Sequence, residues 1–322
     1  MGKYVLRRLL WMIPIILGVS IIVFTLMTLC PGDPAQLISG AGASEEDLEL
    51  IRESLGLKDP FIVRLGRFLS DTFIRFDFGK SWMTGADIKA QIAERLPRTF
   101  VLSIITLLLS MIIGIPLGIM AAVNQGGIGD NISMFIALIG ISIPSFWLAM
   151  LLVLLFSVRL EWLPPMGIGG IQYYILPALA GCTGGIAGYA RQTRSAMLDV
   201  IRSDYITTAR SKGMPEFTVI TKHALQNALI PIITITGTRF GMMLGGQMVL
   251  ETVFSIPGMG TLIISGVNSR DYPVVQAGAI LLAIVFSLSM LVVDLFYAWA
   301  DPRIKAQYVR QSASKKGVKK HA

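Results

Sequence analysis

The chain has 322 residues, 53% of them hydrophobic and 15% charged, and a formal net charge of +8. Soluble domains carry about 25% charged residues, so the composition excludes an ordinary soluble globule and points to a membrane protein. Two cysteines and two histidines leave little material for a disulfide framework or a metal centre.

The first apolar run is Leu9 to Cys30, preceded by Lys3, Arg7 and Arg8. Its 22 residues exceed the core of about 7 to 15 in a secretory signal, and it ends in "LMTLCPGDP" without a small-residue cleavage site. Leu29 before Cys30 also departs from lipoprotein processing. The reading is a retained helix in a division spanning 1–30. Segment 31–98 follows as an extramembrane division with two amphipathic helices. In "SEEDLELIRESLG", Ser44 is the expected N-cap, Leu48, Ile51 and Leu55 share a face, and Gly56 is the stop. In "DPFIVRLGRFLSDTF", Asp59 is expected to cap, with Pro60 at the first helical position and a stripe of Phe61, Leu65, Phe68, Leu69 and Phe73. These helices either pack on the ends of the spans or offer a platform to an external partner.

Five more runs are long enough to cross a core of about 30 Å. They are Thr99 to Val123, Ile132 to Val158, the glycine-rich Ile171 to Ala190, Ala224 to Val249 and Val274 to Ala300, in a core division 99–300. Prolines 14, 116, 144, 177 and 231 fall within the runs, which is tolerable in lipid where neighbouring helices satisfy the freed backbone groups. Period-2 alternation is absent. The expected fold class is all-α, a polytopic membrane protein with six transmembrane helices.

Two charges interrupt the later runs. Arg239 lies about 22 Å along its helix from one membrane face and Asp294 about 9 Å from the same face, a mismatch of roughly 13 Å that makes them poor partners. Asp294 is expected at the interface near the basic tail. Arg239 either lines a substrate path, attracting a carboxylate, or pairs with an acid on a neighbouring subunit.

Lysine and arginine excess marks the cytoplasmic side. Three basic residues precede the first run, six lie in 191–223 against three acids, and seven lie in the tail 301–322 against one. Six crossings put all three regions on one face, so both termini and the 191–223 loop are expected in the cytoplasm and 31–98 outside. Topology and anionic membrane lipid account for the positive charge, and nucleic acid is not needed as a partner.

Within the cytoplasmic loop, Tyr205, Ile206 and Ala209 recur at helical spacing, Gly213 permits a sharp turn, and Pro215 with Glu216 suits the start of a second helix carrying Phe217, Ile220 and Ala224 on one face. On shape alone this helix–turn–helix is either a coupling element or a solvated connector. The segment "YITTARSKGMPEFTVITKHALQNALIP" resembles the cytoplasmic coupling segment of permease subunits of ATP-binding-cassette importers, in the dipeptide, oligopeptide and nickel branch. "PGDPA", "ERLPRT", "SIPSFW", "ETVFSIPGMG", "RDYPVVQ" and "DPRI" extend the resemblance, in order, over nearly the whole chain. The resemblance implies a type I-like permease fold, peptides as cargo, and three kinds of protein neighbour: a second homologous permease, two ATP-binding subunits and an extracytoplasmic solute-binding protein. It also implies that the short helix docks on an ATPase subunit, with Ala209 allowing close approach, Gly213 setting the turn, and Tyr205, Pro215 and Phe217 completing the coupling surface. Thr207 and Thr208 stand where the general importer pattern has Glu-Ala, a departure shared with the peptide branch.

"FDFGKSW" imitates the end of a phosphate-binding loop, but Ile74 occupies the position of its first glycine. No nucleotide site, catalytic group, cofactor or metal is expected. The rival reading is an ion-coupled secondary transporter or channel, which predicts inverted repeats and several intramembrane acids. A membrane enzyme ranks last, because His223 and His321 both lie outside the runs.

Overall fold

The computed structural model describes residues 2–39 and 43–300. Regular structure among them is helical, apart from one antiparallel bridge between Lys80 and Asp87. The chain forms two compact units, each discontinuous in sequence: one of Met1–Ser103, Leu152–Pro177 and Met243–Ser287, the other of Ile104–Leu151, Ala178–Met242 and Leu288–Ala322. The side chain of Asp294 and the basic tail 301–322 lie outside the described residues.

Among the described residues, three helices are long and apolar enough to cross a bilayer: α1 (Gly2–Leu29), α5 (Ile88–Val123) and α14 (Tyr272–Ala300). Two bent helix pairs are also long and apolar enough, each as a broken span or a re-entrant loop. The expected continuous run Ile132 to Val158 is broken into α6 (Ile128–Ser142) and α7 (Ser145–Leu152), which continues as a π-helical stretch Val153–Arg159, and the two arms meet at 93°. The cause is local. Pro144 disfavours helical backbone in the residue before it, and Ile143 is extended at φ −86, ψ 121. α8 (Gln172–Ile201) has the length to span at 30 residues, with glycine, tyrosine and proline diluting its apolar half. α11 (Leu225–Gly246) contains Pro231, where the Glu216–Leu229 and Pro231–Gly245 arms bend by 53°. The 36 residues of α5 make it about 54 Å long, so it begins well before the expected Thr99 and overshoots the hydrocarbon core.

In the first unit, α2 (Pro34–Ser39), α3 (Glu45–Ser54) and α4 (Phe61–Phe73) form the segment outside the spans. α3 starts as the sequence predicts: the Ser44 hydroxyl accepts from Asp47 N at 3.2 Å, and Gly56 closes the turn at φ +65. α4 differs. Pro60 is the cap rather than the first helical residue, with no side-chain cap bond, because Asp59 turns instead to Arg67 at 2.7 Å. The α4 stripe docks on α1, where the buried Phe24 ring meets Phe61 edge-on at 5.5 Å and Phe68 stacked at 5.2 Å. Burying such a ring is worth about 1.5–3 kcal/mol. Asp33 holds the junction by accepting from Ala35 N at 2.9 Å and pairing with Arg52 at 2.6 Å. Beneath, Ile88 and Ile92 pack with Met259, Leu262, Val274 and Ala277.

In the second unit, α5 approaches α8 through glycine. A Cβ on Gly114 would sit 2.7 Å from Ile186 O, and one on Gly118 2.5 Å from Ala190 O. This small-xxx-small pairing lets the two backbones touch, which is how helices associate where no hydrophobic drive separates protein from lipid. Ala137 of α6 packs on Ala187 and Ala190 of the same α8 face.

Candidate functional site

The basic loop forms an elbow in the second unit. α8 runs through Arg191 to Ile201, so the first part of the 191–223 division is the end of a long helix. The chain then turns into α9 (Asp204–Ser211), passes Gly213, and re-enters helix at α10 (Glu216–Thr218), which slips into a π-helical stretch Val219–Ala224 before α11. Gly213 has φ +72, and a Cβ there would meet nothing within 4 Å. Its requirement is conformational: an L residue in this left-handed region costs roughly 1–2 kcal/mol. Arg210 closes the elbow across the turn, its Nε donating to Glu216 at 3.1 Å and its Nη2 at 2.5 Å.

Two faces result. Ile206 and Ala209 turn inward and pack with Met197, Val219, Ala224 and Ala228. Tyr205 is 46% exposed and Phe217 78% exposed. The expected grouping of Phe217 with Ala224 is corrected: the π-helical stretch changes the phase, Val219 takes the buried position and Phe217 turns outward. Pro215 precedes α10 as its cap, at φ −57 and ψ 137.

Beside the elbow, a bidentate pair that sequence reasoning missed locks α6 to α8. Arg194 Nε and Nη2 reach the two carboxylate oxygens of buried Asp130 at 2.7 and 2.6 Å, and Gly126 N donates to the same group at 3.0 Å. Asp130 lies just ahead of the expected third span and Arg194 just beyond the fourth, so a charge at each span end is the signal that could have paired them.

Arg239 lies on α11 with its guanidinium over Gly188 of α8 and 6.0 Å from the centre of the Tyr189 ring. Its Nε is buried without a hydrogen-bond partner among the described residues. The Tyr189 hydroxyl donates to Thr236 at 3.0 Å. Gly188 is therefore a seat for the cation, since a Cβ there would collide with Arg239 Nη2.

In the first unit, "ETVFSIPGMG" forms α12 (Met248–Val253), a tight turn and α13 (Met259–Ser269). Glu251 is fully buried and accepts from the Thr99 hydroxyl at 2.6 Å and Thr261 N at 3.1 Å, while Met259 N donates to the Thr99 hydroxyl at 2.8 Å. The carboxylate thus caps α13. Gly258 makes room for it, because a Cβ there would collide with Oε1. Burial pushes the Glu251 carboxyl up from its ordinary range, against the Thr99 and backbone hydrogen bonds that pull it down. The "GKS" of "FDFGKSW" belongs to a turn: Ser81 donates to Asp271 at 2.5 Å and accepts from Thr84 N at 3.0 Å.

Comparison with known proteins is consistent along the chain. Residues 114–306 match the family of binding-protein-dependent transport system inner membrane components, and residues 1–103 match the N-terminal family of the same membrane components. A protein of Brucella abortus (strain 2308), named as a peptide transport system permease, is 42% identical over 313 residues, covering 95% of this chain and 99% of that one. The glutathione transport system permease protein GsiC of Escherichia coli (strain K12) is 43% identical over 305 residues, with 95% and 99% covered. Among solved structures, an inward-facing form of the MetNI methionine ABC transporter aligns with TM-score 0.57 at 18% identity, over 66% of this chain and 96% of that chain, a likeness of fold. Two family models that together match residues 1–103 and 114–306 place the chain among the binding-protein-dependent transport system inner membrane components, as a permease subunit of the ATP-binding-cassette importers.

Proposed function

We propose that the chain forms half of a translocation pathway for short peptides or peptide-like molecules such as glutathione, with a second homologous permease supplying the other half. Two ATP-binding subunits drive it and an extracytoplasmic solute-binding protein delivers cargo. The names of the relatives support this cargo class. The distribution of lysine and arginine supports cytoplasmic termini and a cytoplasmic elbow. ATP is hydrolysed by the partners, a reading supported by the structural use of Ser81 as an anchor for Asp271.

The observation that carries the proposal is the two-faced elbow. Ile206 and Ala209 root α9 in the second unit's own core, and Tyr205 and Phe217 stand out from it. Ala209 acts by fixing α9 to its own chain, Gly213 and Pro215 set the turn, and Tyr205 and Phe217 contact the ATPase. A helix rooted in this way transmits a push to the helices behind it, and ATP binding biases the access equilibrium by favouring one state over the other. Moving a population from 1:99 to 99:1 takes about 5.5 kcal/mol. Arg239 lines the path and attracts the cargo carboxylate.

The test is copurification of the ATP-binding subunits with Tyr205→Ala/Phe217→Ala. The expected result is loss of the ATPases with the permease pair intact. Full retention of both ATPases and normal uptake by this variant would overturn the assignment.

A further inference from the structure

The first unit holds a cavity of about 220 Å³ between α4, the 77–82 turn and the start of α14. That is below the roughly 300–1,000 Å³ that holds a whole drug-sized ligand, so it suits one end of a larger molecule. Five aromatic residues line it: Phe24, Phe68, Phe78, Trp82 and Tyr272, with Trp82 and Tyr272 5.2 Å apart.

Three polar groups stand in the same wall. Tyr272 and Gln276 are one helical turn apart at the start of α14, are 5% and 7% exposed, and both line the cavity. A phenol and a side-chain amide facing a cavity can each donate to and accept from a ligand. Arg64 is the third. Its guanidinium lies 5.9 Å from the Phe24 ring centre and has no carboxylate partner among the described residues. The other charged lining groups are occupied: Arg67 by Asp59, Asp71 by Arg75, and Asp77 by Gly79 N.

An aromatic box with one free guanidinium, one phenol and one amide matches the carboxyl-terminal residue of a peptide. The guanidinium takes the carboxylate as a fork, the rings take an apolar side chain, and the amide with the phenol takes the last peptide group. We infer that this cavity is an accessory site for the free C-terminal residue of a short peptide, distinct from Arg239, on the face that carries segment 31–98. The inference rests on peptides being the cargo and on that segment lying outside the membrane.

The assembled transporter in lipid nanodiscs, without its solute-binding protein, provides the test. Alanyl-phenylalanine and its C-terminal amide are titrated while tryptophan fluorescence is followed, and Trp82→Phe isolates the signal of that ring. The expected result is a saturable change with the free acid that is lost in Trp82→Phe. Affinity should fall at least about tenfold for the amide and for Arg64→Gln, and be partly retained in Arg64→Lys, as for loss of a charge-assisted bond. Gln276→Leu should weaken binding while preserving assembly on size exclusion. Equal affinities for acid and amide, or for wild type and Arg64→Gln, would overturn the site. So would absence of peptide binding with impaired capture of the solute-binding protein in Arg64→Gln, which would make the cavity a socket for that protein. Uptake of the radiolabelled dipeptide by the full system separates the two readings: uptake without a Trp82 signal removes this site alone, whereas a Trp82 signal without uptake of any peptide removes the cargo reading.

Discussion

Glu251 forms no direct ion pair among the described residues; it is held by one hydroxyl and the backbone amides of a helix start, with the Arg95 charge acting on it from farther off. Because burial raises its folded-state pKa above the ordinary 4.5, its contribution to stability is full below about pH 4.5 and declines as pH rises through the folded value. Glu251→Gln should therefore flatten the decline in thermal midpoint as pH rises above about 4.5, read by differential scanning fluorimetry. Glu251→Ala, which strands Thr99 and the α13 amides, should cost about 1–3 kcal/mol at any pH. Arg239 offers a second residue-scale test through its neighbour. Gly188→Ala places a methyl where the guanidinium sits, so it should depress uptake as strongly as Arg239→Gln while Arg239→Lys retains part. Normal peptide selectivity with reduced assembly in Arg239→Gln would instead place its partner on the second permease. Residue roles of this kind are only half legible in the sequence. Arg239 stands out as a charge in an apolar run, whereas Gln276 and Tyr272 gain meaning only once Arg64 and Trp82, some 190–210 positions away in sequence, are folded against them.

At the scale of elements, local chemistry is readable where it acts locally. Ser44 and Gly56 bound α3 as expected, and Gly213 breaks the elbow as expected. Asp59 fails as a cap because a residue eight positions on competes for it, a contest settled by folding. The 93° break at Pro144 is hidden for a different reason: hydropathy sums composition along a run and is blind to direction, and prolines 14 and 177 sit inside unbroken helices. Glycine contacts between α5 and α8 give the element-scale prediction. Gly118→Val must displace Ala190 O and Thr193, so it should lower the thermal midpoint by the equivalent of about 1–3 kcal/mol, while Gly184→Ala, which meets nothing within 4 Å, should leave it unchanged.

For the molecule as a whole, the orientation is testable without reference to cargo. Ser44→Cys should react with an impermeant maleimide in intact cells, and Ser211→Cys only after the membrane is opened; the reverse pattern would invert the proposed topology. The π-helical stretch between elbow and α11 has a bearing on the assembled importer. Each such widening holds one residue more than an α-helix of the same rise, and one α-helical residue corresponds to about 100° of rotation. Deleting Thr221 should let Val219–Ala224 tighten to ordinary helix and swing Tyr205 and Phe217 by about that angle around the α11 axis. Such a permease would still insert and pair yet would offer its handle in the wrong azimuth, so that the motor turns over ATP, if it binds at all, without moving cargo.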